Sequence, residues 1–186
     1  MKIIKEKVKE IQLNFFEEDQ KNRFPHLNNL NEHYRFLVYM SYIYNNEQLL
    51  DVGTYNGHSC LSLSQNQKNK VITYDIEPKN HPIFEQYNNI QVKTLDINKE
   101  NTEIIKSSKF IILDIDPHDG IQELVFYKTL ININYKGLFM LDDIHLNDGM
   151  KNFWNSITHE KYDITDIGHW SGTGLVNFSN EKIDII

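Results

Sequence analysis

The chain has 186 residues, 40% of them hydrophobic and 24% charged, and a formal net charge of −7, the balance of one soluble domain with a sizeable core. The negative charge disfavours a nucleic-acid backbone or an anionic membrane as the main partner. The single cysteine, Cys60, excludes an internal disulfide and a structural cysteine-type zinc site. Residues 1–16 are too interrupted by Lys and Glu for a signal peptide, and no apolar run is long enough to span a bilayer, so a cytoplasmic setting is expected.

Ile4, Val8, Ile11 and Phe15 recur at helical spacing and predict an amphipathic N-terminal helix. Residues 22–31, containing Pro25, read as a loop. Tyr34, Leu37, Ser41 and Tyr44 share one face of a second helix. Residues 1–47 thus form a helical extension of the same domain, and the core spans 48–186. Short apolar runs follow at 48–52, 71–74, 90–95, 110–113 and 138–141, separated by helical or polar stretches. That alternation predicts a doubly wound α/β domain with a mostly parallel, Rossmann-like sheet. Met150, Phe153, Trp154 and Ile157 form a stripe on a further helix that Asn147 can cap. Residues 162–167 and 175–178 read as strands whose connection is too short for a helical crossover, so they are expected to be antiparallel.

In such sheets ligands bind beyond the carboxyl ends of the strands, and three stretches there carry chemistry. The first is Leu49-Leu-Asp-Val-Gly-Thr-Tyr-Asn-Gly-His-Ser59, whose Gly53 and Gly57 allow a tight strand-to-helix turn close to a ligand. Its spacing is not the Gly-x-Gly-x-x-Gly of dinucleotide sites, so NAD is disfavoured. The second run ends in Asp75, about 20 residues on, where a carboxylate can accept hydrogen bonds from ribose hydroxyls. Third come two acidic clusters, Asp114-Ile-Asp-Pro-His118 and Asp142-Asp-Ile-His145, each ending an apolar run. Asp is a good turn former, and either cluster alone would be read that way. Two together place hard carboxylate oxygens on neighbouring strand ends, an arrangement that suits Mg²⁺ or a similar divalent ion.

Asp51-Val-Gly-Thr-Tyr-Asn-Gly-His-Ser59 followed by Tyr74-Asp-Ile-Glu-Pro78 resembles the first two motifs of class I S-adenosylmethionine-dependent methyltransferases, especially the metal-dependent O-methyltransferases of the catechol and caffeoyl-CoA type and their sugar O-methyltransferase relatives. The resemblance spans about residues 51–178. It implies a cofactor set headed by Asp51, with Gly53 and Gly57 lining the methionyl portion and Tyr55 near the sulfonium. Ser59 would bond the methionyl carboxylate, Asp75 the ribose, and Asp96 or Asn98 would lie beside the adenine. It also implies a divalent cation at Asp114, Asp142 and Asp143, and transfer of a methyl group to a hydroxyl of a small molecule or glycan. A homodimer is left open.

One position departs from the family pattern. Catechol-type members carry a Lys three residues after the strand-four Asp, and several sugar O-methyltransferases a His. Here Pro117 stands there, with His118 one residue late. His118 and His145 are therefore the two candidate bases, and a sugar-like hydroxyl is favoured over a phenol. His58, His169 and Trp170 are further candidates to line the pocket. His26, His33, His81 and His159 are read as structural or solvent-exposed. Two rivals stand beside this reading. One is a Mg²⁺-dependent phosphatase with an aspartyl nucleophile, suggested by Asp114-Ile-Asp116. The other is an adenosylmethionine-binding module without turnover.

Overall fold

A computed structural model describes residues 1–28, 31–79 and 81–186. In chain order the elements are β1 (Lys2–Ile3), α1 (Lys5–Lys9), α2 (Glu18–Arg23), a 3-10 turn (Pro25–Asn28), α3 (Tyr34–Ile43), β2 (Gln48–Val52), α4 (His58–Leu63), β3 (Lys70–Asp75), a 3-10 turn (Pro82–Gln86) and β4 (Ile90–Thr94). A 3-10 turn (Ile97–Lys99) leads to α5 (Thr102–Ser107), β5 (Ser108–Leu113), α6 (Ile121–Asn132), β6 (Leu138–Leu141), α7 (Asp148–Ser156) and β7 (Lys161–Asp163). A last 3-10 turn (Thr165–Ile167) precedes β8 (Gly174–Asn177) and β9 (Asp184–Ile185).

Seven strands form one sheet in the order β4-β3-β2-β5-β6-β8-β7. The first five are mutually parallel, and β8 runs antiparallel to both β6 and β7. The order reverses between β2 and β5, so the crevice between their carboxyl ends is the switch point where ligands bind in open α/β sheets. The strict two-residue period of the strands divides the core in two. Leu49, Phe110, Ile112, Leu138 and Met140 face the cluster built with the N-terminal segments and α3. Leu50, Val52, Ile111, Leu113, Phe139 and Leu141 face the opposite cluster, with Phe126 of α6 and Phe153 and Trp154 of α7. A sheet greasy on both faces is the reason these strands read as continuous apolar runs.

The predicted strands β2 to β6 fall where the apolar runs lie, and Asn147 caps α7 by accepting from the Met150 amide at 3.0 Å. Three segments differ from expectation. The N-terminal helix is short: α1 ends at Lys9, before Ile11 and Phe15, and ahead of it residues 2–3 pair as a strand with β9. The backbone of Ile186 closes that ladder with Ile3 and Lys5, while Ile11 and Phe15 pack on the core beyond α1. Residues 22–31 are not all loop: α2 extends to Arg23 and a 3-10 turn follows, with Asn29 and Leu30 outside the described residues. The strand expected over 162–167 stops at Asp163, whose carboxylate accepts from both the amide and the hydroxyl of Thr165 (3.1 and 2.5 Å) and turns the chain.

Candidate functional site

The loop after β2 is held by the strands on either side. The amides of Gly53 and Thr54 both donate to the Tyr74 carbonyl, at 2.9 and 3.1 Å. Gly53 has φ of +106°, and a Cβ there would lie 1.7 Å from the Asp114 carbonyl oxygen. Gly57 has φ of +78°, and its Cβ would meet the Phe84 ring at 2.5 Å. Both glycines thus make room for the protein's own atoms. Beneath the loop Asp51 is buried and accepts from the Thr73 hydroxyl at 2.5 Å. Thr73 has one hydroxyl proton and gives it to Asp51, so Thr54, 2.6 Å away, donates to Thr73. Ser59 is buried and turned toward Asp51 as a second hydroxyl donor, and burial nonetheless pushes the Asp51 carboxyl up to about 6.

At the tip of β3 each Asp75 oxygen accepts one backbone amide: Oδ2 from Tyr55 and Oδ1 from Glu77, both at 3.0 Å. The Tyr55 ring is exposed, and its carbonyl lies 2.6 Å from His81 Nε2. Asp96 accepts from the Asn98 amide at 3.0 Å and starts the 3-10 turn after β4, with Asn98 exposed.

The two acidic clusters meet beside this loop. Asp114 ends β5 and Asp142 ends β6, tied to neighbouring strands through Val52 and Leu113 carbonyls. Asp142 and Asp143 are buried and Asp114 is half-buried. Histidines arrive from two other segments, and His118 joins them from the first cluster. His33 Nδ1, at the start of α3, lies 3.3 Å from Asp142 Oδ1. His169 Nδ1, in the loop before β8, lies 3.4 Å from Asp142 Oδ2 and 3.2 Å from Asp143 Oδ1. His118 places Nδ1 3.4 Å from Asp143 Oδ2 and Nε2 3.9 Å from Asp114 Oδ1. Ser171 donates to Asp143 Oδ1 and sits 2.5 Å from His169 Nδ1, and Glu32 faces the far side of His169 at 3.7 Å. Among the described residues three groups could hold an ion: His33–Asp114–Asp142, Asp114–His118–Asp143 and Asp142–Asp143–His169.

Charge and strain both concentrate here. Burial and the neighbouring Asp142 carboxylate push the Asp114 carboxyl up. Burial opposes ionisation of Asp142 as well, but His33 and His169 outweigh it and hold that carboxyl low. Burial likewise works against charge on His169, yet the Asp142, Asp143 and Glu32 carboxylates carry it up to about 10. Five non-glycine residues among those described have positive φ. Two are Asn46 and Asn134, a residue type that tolerates it; the other three are Tyr55, His118 and Asp143. Strained backbone of this kind persists only where the surroundings over-determine it.

Sequence reasoning and structure agree in bringing Asp114, Asp142, Asp143 and His118 together. His145 points elsewhere, its Nε2 2.7 Å from Asp163 Oδ2. His58 is buried among Phe16, Phe24 and Tyr34, and the Trp170 ring is largely exposed. His33 was expected to be structural or exposed, and it is instead buried against Asp142. Glu32 and Ser171 drew no attention in the sequence. They carry no motif, and their partners are far away along the chain.

No family model matches the sequence, and no curated relative matches it either. Solved structures do match. A candidate caffeoyl-CoA O-methyltransferase from Staphylococcus aureus superposes with a TM-score of 0.62 at 12% identity, covering 89% of this chain and 93% of that one. The O-methyltransferase TomG from Streptomyces achromogenes, solved with S-adenosylmethionine, gives 0.61 at 13% identity over 90% and 93%. The S-adenosylhomocysteine-bound methyltransferase PaMTH1 from Podospora anserina gives 0.59 at 14% identity over 86% and 84%. At such identities the likeness is one of architecture, and it agrees with the motif resemblance: this chain has the Rossmann-like fold of S-adenosylmethionine-dependent methyltransferases.

Proposed function

We propose that the protein is an S-adenosylmethionine-dependent O-methyltransferase, assisted by a divalent cation, that acts on a hydroxyl of a small molecule or glycan. The observation that carries this reading is the meeting of the Gly53–Gly57 loop and Asp75 with the Asp114, Asp142 and Asp143 carboxylates at one switch point. The residues fit both groups. A carboxylate has about four lone-pair sites, so Asp75, with one backbone bond on each oxygen, keeps room for a pair of ribose hydroxyls. Asp142 Oδ1 is buried without a hydrogen-bond partner among the described residues, and a cation would remove the mutual repulsion of the carboxylates around it. When bound, S-adenosylmethionine supplies the methyl group and the cation makes the acceptor hydroxyl more acidic.

The chain's own residues do the rest. Asp75 and the loop fix the donor side, while Asp114 and Asp142 fix the acceptor side one strand away, which holds the two reactants in line. His118 accepts the hydroxyl proton. Asp143, near its Nδ1, orients the ring, and the short shift from Pro117 to His118 still brings an imidazole to the cluster. Asp96 and Asn98 would border the adenine. The aspartyl-phosphatase alternative needs Asp116 beside Asp114, but the Asp116 side chain is almost wholly exposed. A methyl-transfer screen against sugars, catechols and small acids, with and without EDTA, tests the reading. Cation-dependent transfer to a hydroxyl is expected. Binding of S-adenosylmethionine with no transfer to any acceptor would favour a module without turnover, and equal transfer in EDTA would remove the cation.

A further inference from the structure

The polar atoms of the acidic cluster are not equally committed. Asp143 Oδ1 already accepts from Ser171 and lies against His169. By contrast, His33 Nδ1, His33 Nε2 and Asp142 Oδ1 are buried and have no hydrogen-bond partner among the described residues. His33 is only 2% exposed and Asp142 4%. Their facing atoms are 3.3 Å apart, close enough to attract but not aligned as donor and acceptor. A buried imidazole with neither nitrogen satisfied is costly and rare. It sits at the one point where Asp114 and Asp142 also converge, all three ligand atoms within 4.8 Å of one another.

We infer that His33 Nδ1 joins Asp114 and Asp142 as the inner ligands of the cation, with Asp143 on its edge, and that the ion is a transition metal of the manganese-to-zinc row rather than magnesium. This rests on the cation part of the function proposed above and changes its chemical class. Ligand bonds of about 2.0–2.2 Å at tetrahedral or octahedral angles put neighbouring ligand atoms about 3.0–3.5 Å apart. The 3.3 Å between His33 Nδ1 and Asp142 Oδ1 is that spacing. Magnesium prefers oxygen and keeps its waters, whereas an imidazole nitrogen suits zinc, iron, cobalt or nickel and raises affinity along that row. A set of one nitrogen and two carboxylates leaves positions open for an acceptor's oxygens. His33 enters from the N-terminal segment, outside the sheet that carries the carboxylates, so the ion would also staple that segment to the strand ends.

Metal-stripped protein titrated with Co²⁺ and with Mg²⁺ tests this, read by calorimetry and by the visible d–d absorption of cobalt. Co²⁺ should bind more tightly than Mg²⁺ and give a visible spectrum. His33→Gln should lose at least about tenfold in Co²⁺ affinity, by comparison with the loss seen when an outer partner of a ligand is removed, and change the spectrum. Its Mg²⁺ affinity and S-adenosylhomocysteine affinity should move little, and His159→Gln, remote from the cluster, should match wild type throughout. A His33→Gln protein with the wild-type cobalt spectrum and affinity overturns the inference and leaves the methyltransferase reading standing. Binding of neither ion by wild type overturns both this inference and the cation in the proposed function. If His33→Gln fails to fold, the imidazole ¹⁵N shifts of wild type with added Zn²⁺ decide: His33 Nδ1 must move to a metal-bound position, and an unchanged His33 contradicts the proposal.

Discussion

The loop after β2 and the acidic cluster beside it are a few ångströms apart and are built on opposite terms. In and beneath the loop the buried hydroxyls and the carboxylates are paired inside the protein. Thr54 gives to Thr73, Thr73 and Ser59 give to Asp51, and Asp75 takes two amides. In the cluster Asp114, Asp142 and Asp143 crowd against three histidines, two residues are held at positive φ, and buried atoms of His33 and Asp142 have no hydrogen-bond partner among the described residues. The first region is internally paired and keeps acceptor sites on Asp75 for a ligand. The second is a high-energy arrangement that something else must complete. Under the proposed methyl transfer, a rigid donor cradle beside an incomplete acceptor site would suit in-line transfer, since only the acceptor side has to assemble around a substrate.

The two regions touch through Gly53, whose missing Cβ leaves space for the Asp114 carbonyl. Gly53→Ala should therefore damage both. With φ of +106° and a clash against backbone, it is expected to cost about 3 kcal/mol or more, measured by urea unfolding, and to weaken S-adenosylhomocysteine and cation binding together. A variant as stable as wild type would mean that the loop and β5 are not coupled.

Thr73→Val and Ser171→Ala compare the regions directly. Thr73→Val keeps shape but takes a donor from the buried Asp51 and leaves Thr54 without its acceptor, at about 1–3 kcal/mol. Ser171→Ala takes the hydroxyl from both Asp143 and His169, but His169 remains beside Asp143, so it should cost less, about 1 kcal/mol. Thermal unfolding of the pair checks the order. If Ser171→Ala is the more damaging, the cluster is as tightly committed as the loop.

The strands were legible because each is buried on both faces and so reads as an unbroken apolar run. The loop and the carboxylates were legible because strand ends collect ligands and their spacing is local. What stayed hidden was tertiary. Nothing in Glu32-His33 or in His169-Trp-Ser171 shows that these two segments, distant in sequence, meet beside Asp142. Likewise, β1 carries no signal of its own, because its partner, β9, lies at the other end of the chain. His58 was read as a pocket residue because it follows Gly57, yet it turns inward among aromatic rings.

That inward turn has a measurable consequence. Burial lowers the His58 pKa from 6.5 to about 4, so the folded state holds it neutral. Its contribution is fully present above pH 6.5 and is lost as pH falls toward 4. Asp51, raised to about 6, acts in the opposite sense, losing its contribution as pH rises through that value, and Asp114, also pushed up, acts with it, so the wild-type curve mixes these contributions. His58→Phe isolates the term: relative to wild type the variant should gain about 2 kcal/mol between pH 7 and pH 5. Parallel unfolding curves at the two pH values would place His58 in solvent.

Calorimetric binding of S-adenosylhomocysteine to wild type, Asp75→Ala and Asp142→Asn bears most directly on the division of labour between loop and cluster. Wild type should bind it and should not bind NAD. Asp75→Ala should lose about tenfold or more in affinity through the missing charge-assisted bonds, whereas Asp142→Asn, which touches only the acceptor side, should bind as wild type does. Equal binding by Asp75→Ala, or no binding by wild type, would contradict the account.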